Sequence, residues 1–182
     1  MRLAVLTILT GFFLVCGAAV FLMGMYWERV EQPEPQPIAF PHDFHAGTGM
    51  VTLSTGEKRA GLGLPCTHCH VYVDKSRFAT VPAVKICVDC HKGVQTKSQE
   101  AAKVMEYWDR QEPIPWVRIH KVKDFVYFSH KRHIKAGVDC AVCHGDMTVV
   151  KTVKKVRTFQ MGFCVSCHRA NGAPQDCWTC HK

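Results

Sequence analysis

Five copies of one short pattern constrain this chain more than anything else in it. They read Cys66-Thr67-His68-Cys69-His70, Cys87-Val88-Asp89-Cys90-His91, Cys140-Ala141-Val142-Cys143-His144, Cys164-Val165-Ser166-Cys167-His168 and Cys177-Trp178-Thr179-Cys180-His181. Each is C-x-x-C-H. On one turn of helix, positions i, i+3 and i+4 share a face, so each copy aims two thiols and an imidazole at one point. A c-type haem meets all three: the sulfurs close thioether bonds to its edge and the imidazole ligates its iron. Of the 11 cysteines, only Cys16 falls outside these sites. Zinc also uses paired C-x-x-C units. An odd number of pairs would leave one unmatched, and zinc needs no His after every second Cys. C-x-x-C redox disulfides do not come in fives. The reading is five covalently attached haem c groups, held by Cys66, Cys69, Cys87, Cys90, Cys140, Cys143, Cys164, Cys167, Cys177 and Cys180. The proximal iron ligands are then His70, His91, His144, His168 and His181.

Five haems in one small domain change what the core is made of. A domain of about 150 residues normally builds an apolar core, but here each haem has only about thirty residues around it. The expected fold is mostly irregular and α, with short helices carrying the attachment sites, little sheet, and haems as the core. The haem-free chain is expected to be largely unfolded. The formal charge of +8 is read in the same light. Propionates contribute roughly −2 per haem, so the basic excess supplies their partners rather than a nucleic-acid surface. The densest basic run, Lys151-Thr152-Val153-Lys154-Lys155-Val156-Arg157, alternates charge with β-branched residues. It is expected to be an exposed strand or hairpin, a solvated face before a docking patch for an acidic partner.

Leu3 to Trp27 carries no charge. As a helix it spans about 37 Å, enough for a bilayer core of about 30 Å. A signal peptide has an apolar region of only about 7–15 residues ending at small residues, whereas this stretch continues past Gly17-Ala18-Ala19 to an aromatic pair, Tyr26-Trp27, at interfacial depth. A lipoprotein cysteine at Cys16 would want a small residue where Val15 stands. Residues 1–29 are therefore read as an uncleaved transmembrane anchor. Gly11, Gly17, Ala18 and Ala19 offer either a close approach for another membrane helix or small residues facing lipid. Arg2 before the helix, with Glu28, Arg29 and Glu31 after it, places the N-terminus inside. Residues 30–37, with the run EQPEPQP, form a stiff Pro-rich spacer.

Residues 38–182 contain a repeat. Phe40-Pro41-His42-Asp43-Phe44-His45 leads through a longer loop to Gly63 and the Cys66 site. Phe128-Ser129-His130-Lys131-Arg132-His133 leads quickly to Gly137 and the Cys140 site. Both read F-x-H-x-x-H, then G-x-x-C-x-x-C-H. The Cys87 site completes a first module, about 38–92, and the Cys164 site a second, about 121–170; residues 171–182 add a fifth haem. Between the modules Ser98 is placed to cap a helix running to about Arg110, ended by Pro113 and Pro115. Trp116 to Phe128 then reads as extended chain containing His120.

Iron takes two axial ligands. Five histidines lie in the attachment sites, leaving His42, His45, His68, His120, His130 and His133. His68 sits inside an attachment loop and is set aside, so His42, His45, His120, His130 and His133 are the distal ligands by count. Bis-His iron is six-coordinate and low-spin, with no open position, and it moves electrons rather than binding substrate. Met147, as C-x-x-C-H-x-x-M, and Met161 are the alternative axial ligands; a methionine would raise one haem's potential.

These modules resemble the class III multihaem cytochromes, the cytochrome c3/c7 group. That resemblance implies that the two histidines of a pair ligate different haems. The ordered segments AFPHDFHAG, CTHCHVYVDKSRFATVPAVKICVDCH, PIPWVRIH, FVYFSHKRHIKAGVDCAVCHG and FQMGFCVSCHR are similar to the pentahaem cytochrome subunit of alternative complex III. The similarity covers most of residues 38–182 and includes the single N-terminal anchor. It implies an electron-transfer subunit, not itself an enzyme, of a quinol:acceptor oxidoreductase in a bacterial respiratory or photosynthetic chain. The implied partners are polytopic membrane subunits, iron–sulfur and haem subunits, and a cytochrome c or terminal oxidase as acceptor. The implied site is the cytoplasmic (inner) membrane, single-pass, with the haem domain periplasmic. The competing readings are a NapC/NrfH-like quinol dehydrogenase, a subunit of another quinone-linked complex, and a multihaem reductase, which needs an iron lacking its distal ligand.

Overall fold

The computed structural model describes residues 2–30, 35–94 and 97–182. The chain divides into two compact bodies, Met1–Pro33 and Glu34–Lys182. The first is helix α1, Arg2–Val30. Its stretch Ala4–Trp27 is long and apolar enough to cross a membrane. Apolar residues surround it on every side rather than forming one stripe. Within it the Thr10 hydroxyl donates to the Leu6 carbonyl at 2.8 Å, satisfying its polarity inside the helix. The spacer's first residues, 31–34, lie outside the described residues. Its far end is held: the Gln36 amide donates to the Val117 carbonyl and accepts the Val117 N–H, both at 3.0 Å.

The second body is built, among the described residues, from short helices and one hairpin. The helices are α2 (His42–Ala46), α3 (Cys66–Cys69), α4 (Val84–His91), α5 (Gln99–Asp109), α6 (His130–Lys135), α7 (Ala141–His144), α8 (Met161–Ala170) and α9 (Cys177–Cys180). Strands β1 (Met50–Thr52) and β2 (Lys58–Ala60) pair antiparallel, with Val51 opposite Arg59. The fold is thus mostly helical and irregular with little sheet. The hairpin occupies part of what the sequence reading treats as loop. Gly56, at φ +83, supplies the left-handed residue its turn requires.

The sequence expectation fails at the basic run. Residues 151–157 form no strand. The main chain just before them is already engaged, because the Val150 carbonyl accepts the Asp43 N–H at 3.0 Å. The Lys151 ammonium then bonds the Thr52 carbonyl at 2.9 Å. Apart from half-buried Val153, this run is exposed. Alternation alone could not make a strand without an edge to pair with.

Helix α5 starts one residue after its Ser98 N-cap and ends at Asp109, with Arg110 as C-cap. Glu100 in its first turn accepts the Ala39 N–H and a Lys103 ammonium proton, both at 2.7 Å, which ties the start of the second body to α5. Helices α4 and α5 pack on each other. The apolar cluster there is small: Ile38, Val88, Val104 and Ile114 are buried, ringed by side chains such as Trp108 and Trp116. Val73 is the other buried apolar residue among those described.

Candidate functional site

All five C-x-x-C-H motifs, the candidate attachment sites, lie on helical turns. In three of them the turn is closed by the bond the motif implies: the N–H of His70, His144 and His181 donates to the carbonyl of Cys66, Cys140 and Cys177, each at 2.9 Å. Each bond runs from the His of C-x-x-C-H to its first Cys, four residues back, which brings thiols and imidazole to one side. The other two sites form the C-terminal turns of α4 and the middle of α8.

The two F-x-H-x-x-H segments fold alike. His42 opens α2 and His130 opens α6. Phe40 stacks on His45 (4.3 Å between ring centres, 25°) and meets His42 edge-on (4.7 Å, 82°). Phe128 repeats this with His133 (4.5 Å, 28°) and His130 (4.8 Å, 90°). The second histidine of each pair donates its Nδ1–H to the carbonyl four residues back, His45 to Pro41 at 2.9 Å and His133 to Ser129 at 2.8 Å. A carbonyl only accepts, so Nδ1 holds the proton and Nε2 keeps a free lone pair.

The histidines then face one another across modules of the same design. His45 lies 6.3 Å from His91, His130 lies 6.3 Å from His144 at 13° between planes, and His133 lies 5.9 Å from His168. Two imidazoles bonded to one iron, each at about 2 Å, put their ring centres roughly 6 Å apart, so these pairs have the spacing the cofactor needs. Three of the buried nitrogens have no hydrogen-bond partner: His42 Nδ1, His91 Nδ1 and His120 Nε2. Burial pushes His42 down to about 4, with the His70 and His45 charges adding to it; burial, then His120, His130 and His70, does the same to His144. Both stay neutral and able to ligate at neutral pH. Burial raises the thiols of Cys69, Cys87, Cys140, Cys143 and Cys164. The donor set fits haem c: imidazoles in facing pairs, beside thiols on the same turns.

The remaining residues fall as follows. His70 and His42 are electrostatic neighbours. His120 stands edge-on to His144 at 4.5 Å and 81°, not opposite His181. His181 lies beside the Phe125 ring (5.6 Å), with Nδ1 at 3.4 Å from the Phe125 carbonyl. His68 is exposed and Met147 half-buried, while Met161 is 67% exposed at the head of α8. Backbone acceptors complete the set: Thr80 for His70 (2.8 Å), Arg77 for His130 (3.1 Å) and Pro174 for His168 (2.6 Å). Sequence reasoning missed these residues, because a main-chain carbonyl carries no side-chain signature.

The family model described as cytochrome c7 and related cytochrome c matches residues 126–182. This stretch is similar to multihaem cytochromes c. It spans the His130/His133 pair and the three attachment sites from Cys140 onward. Cytochrome c chemistry brings covalently bound haem and electron transfer with it. No curated protein matches the chain significantly.

Proposed function

We propose that the chain is a membrane-anchored pentahaem cytochrome c that carries electrons from a quinol-oxidising membrane complex, alternative complex III, to a periplasmic cytochrome or a terminal oxidase. The observation that carries this reading is the repeated pairing of imidazoles. His45 faces His91 in the first module as His133 faces His168 in the second, and His130 faces His144. A haem held between two such rings supplies reversible iron oxidation without an open coordination position. The protein's part in this reading is to offer ten histidines to iron: His42, His45, His120, His130 and His133 distal, and His70, His91, His144, His168 and His181 proximal. Helix α1, apolar all round and long enough to span a bilayer, supports membrane anchorage, and the reading puts the haem body on the periplasmic side of the inner membrane.

Purification from native membranes tests this. The expected result is a polypeptide carrying five haems by intact mass, low-spin throughout, co-purifying with polytopic and iron–sulfur subunits. Quinol oxidation by the isolated chain, or turnover of nitrite or hydroxylamine, would overturn it in favour of a quinol dehydrogenase or a reductase.

A further inference from the structure

One short loop holds iron ligands belonging to both modules. Residues 76–80 follow the first attachment site. The Thr80 carbonyl accepts His70 Nδ1–H at 2.8 Å. The Arg77 carbonyl accepts two bonds from His130, the backbone N–H at 3.0 Å and Nδ1–H at 3.1 Å. The Ser76 carbonyl accepts the Lys131 N–H at 3.1 Å. Paired donation to one carbonyl fixes both where α6 begins and how the His130 ring is turned. Thr80 has φ +61. A β-branched residue takes up the left-handed region only under constraint, and here that conformation accompanies a carbonyl turned onto an iron ligand.

The Arg77 side chain extends the same junction. Its guanidinium carbon lies 4.5 Å from the centre of the Tyr127 ring and 5.0 Å from that of Phe78. Nη2 donates to the Val126 carbonyl at 3.4 Å, and Nε is buried without a hydrogen-bond partner. The segment it grips reaches the last attachment site: Val126 bridges to His181, and the Tyr127 N–H donates to the Cys180 carbonyl at 2.8 Å.

Resting on the pentahaem reading, we propose that the Ser76–Thr80 loop is the junction where electrons cross between the modules, with Arg77 as the residue that positions His130. The haems on Cys66 and Cys140 are then neighbours. Within each module the two haems are neighbours because their distal histidines share one helical turn, in α2 and in α6. The fifth site joins the same junction through the Val126–His181 bridge and the Tyr127 N–H to Cys180 carbonyl bond. Haems held by these residues would supply one-electron iron oxidation and reduction, with no bond or proton transferred.

The test uses the haem-loaded chain, followed by potentiometric titration and electron paramagnetic resonance. Arg77→Lys keeps the charge but loses the planar stacking and the guanidinium bond to Val126. An acceptor on Nδ1–H strengthens imidazole as a ligand and orients its ring. Loosening the Arg77 carbonyl is therefore expected to raise the midpoint of the His130-ligated haem and to alter its low-spin signal. In the His130→Met background, where that haem is already methionine-ligated, the same substitution is expected to add no such change. Unaltered potentials and signals in Arg77→Lys overturn the proposal, as does a change persisting in full beside His130→Met. Should His130→Met fail to load haem, Arg77→Lys against the unaltered protein decides alone: a change confined to the His130 haem, or to it and the His181 haem, supports the junction, and any other result overturns it. Fewer than five haems in the unaltered protein defeats the pentahaem reading instead, so the two failures are distinguishable.

Discussion

At the scale of single residues, the histidines divide by what holds their second nitrogen. His45 and His133 are braced by carbonyls one turn back and by stacked phenylalanines. Replacing either with Ala removes a distal ligand but no thioether bond. His133→Ala is therefore expected to keep its full haem content by mass and to convert one haem to a high-spin signal; an unchanged low-spin spectrum would break the His133–His168 pairing. His42 and His144 titrate near 4 in the folded chain, largely through burial, against an ordinary 6.5. The folded state thus binds fewer protons than the unfolded state between those values. Their contribution to stability is fully present above pH 6.5 and is lost as pH falls through about 4. Iron on the same rings acts in the same direction. Thermal unfolding followed by haem absorbance should show a lower Tm at pH 4.5 than at pH 7, and an equal or higher Tm would refute the assignment. The C-x-x-C-H motifs and the F-x-H-x-x-H pairs stand out in the sequence because their chemistry resides in side chains. Thr80, Arg77 and Pro174 were not, because they act through main-chain oxygens whose direction only the folded backbone sets.

At the scale of elements, the short helices follow from the motifs they carry. Three of the helices that carry the motifs, α3, α7 and α9, are about one turn long, and α4 and α8 have 8 and 10 residues. Isolated helices of such lengths do not persist on propensity, so long-range main-chain bonds hold them in place. The first module shows how. Residues 61–64 ladder onto 44–49: Gly61 N–H to the Gly49 carbonyl at 2.9 Å, Leu62 to Phe44 at 2.7 Å, Gly63 to Gly47 at 2.9 Å and Leu64 to His45 at 2.9 Å. The approach is close enough that a Cβ on Gly61 would collide with the Gly47 carbonyl, and one on Gly47 with the Thr148 and Asp43 carbonyls. Backbone oxygens in a ladder cannot retreat as a side chain can. Gly61→Ala is expected to destabilise the haem-loaded protein by about 1–3 kcal/mol, measured by denaturant titration, and a neutral result would mean that the ladder yields. This ladder, with its β1–β2 hairpin, was hidden in the sequence as a long loop, since its spacing is set by glycines rather than by alternation. Residues 151–157 show the converse, an alternating pattern that pairs with nothing.

For the whole molecule, the balance between apolar burial and chain ordering decides what state the polypeptide reaches alone. In the body from Glu34 to Lys182, the described residues bury only Ile38, Val73, Val88, Val104 and Ile114 as apolar side chains. Five such side chains are few for a body of this length, which ordinarily gathers an extensive apolar core. On the pentahaem reading proposed above, the remaining stabilisation would come from the apolar macrocycles that the ten thiols and facing imidazoles would hold. The mean fold class was legible for the same reason, as the sequence offers five attachment sites and too little else to bury. Two outcomes follow. A chain without α1, directed to the periplasm with haem maturation intact, should be recovered soluble with the same haem content by mass, because nothing in the apolar span supplies a ligand. The same chain with all ten attachment cysteines changed to Ser should show a disordered far-ultraviolet circular dichroism spectrum and no cooperative thermal transition. A folded, cooperatively melting haem-free chain would mean that the polypeptide carries a core of its own, and the haems would then be cargo on a scaffold rather than the centre of the fold.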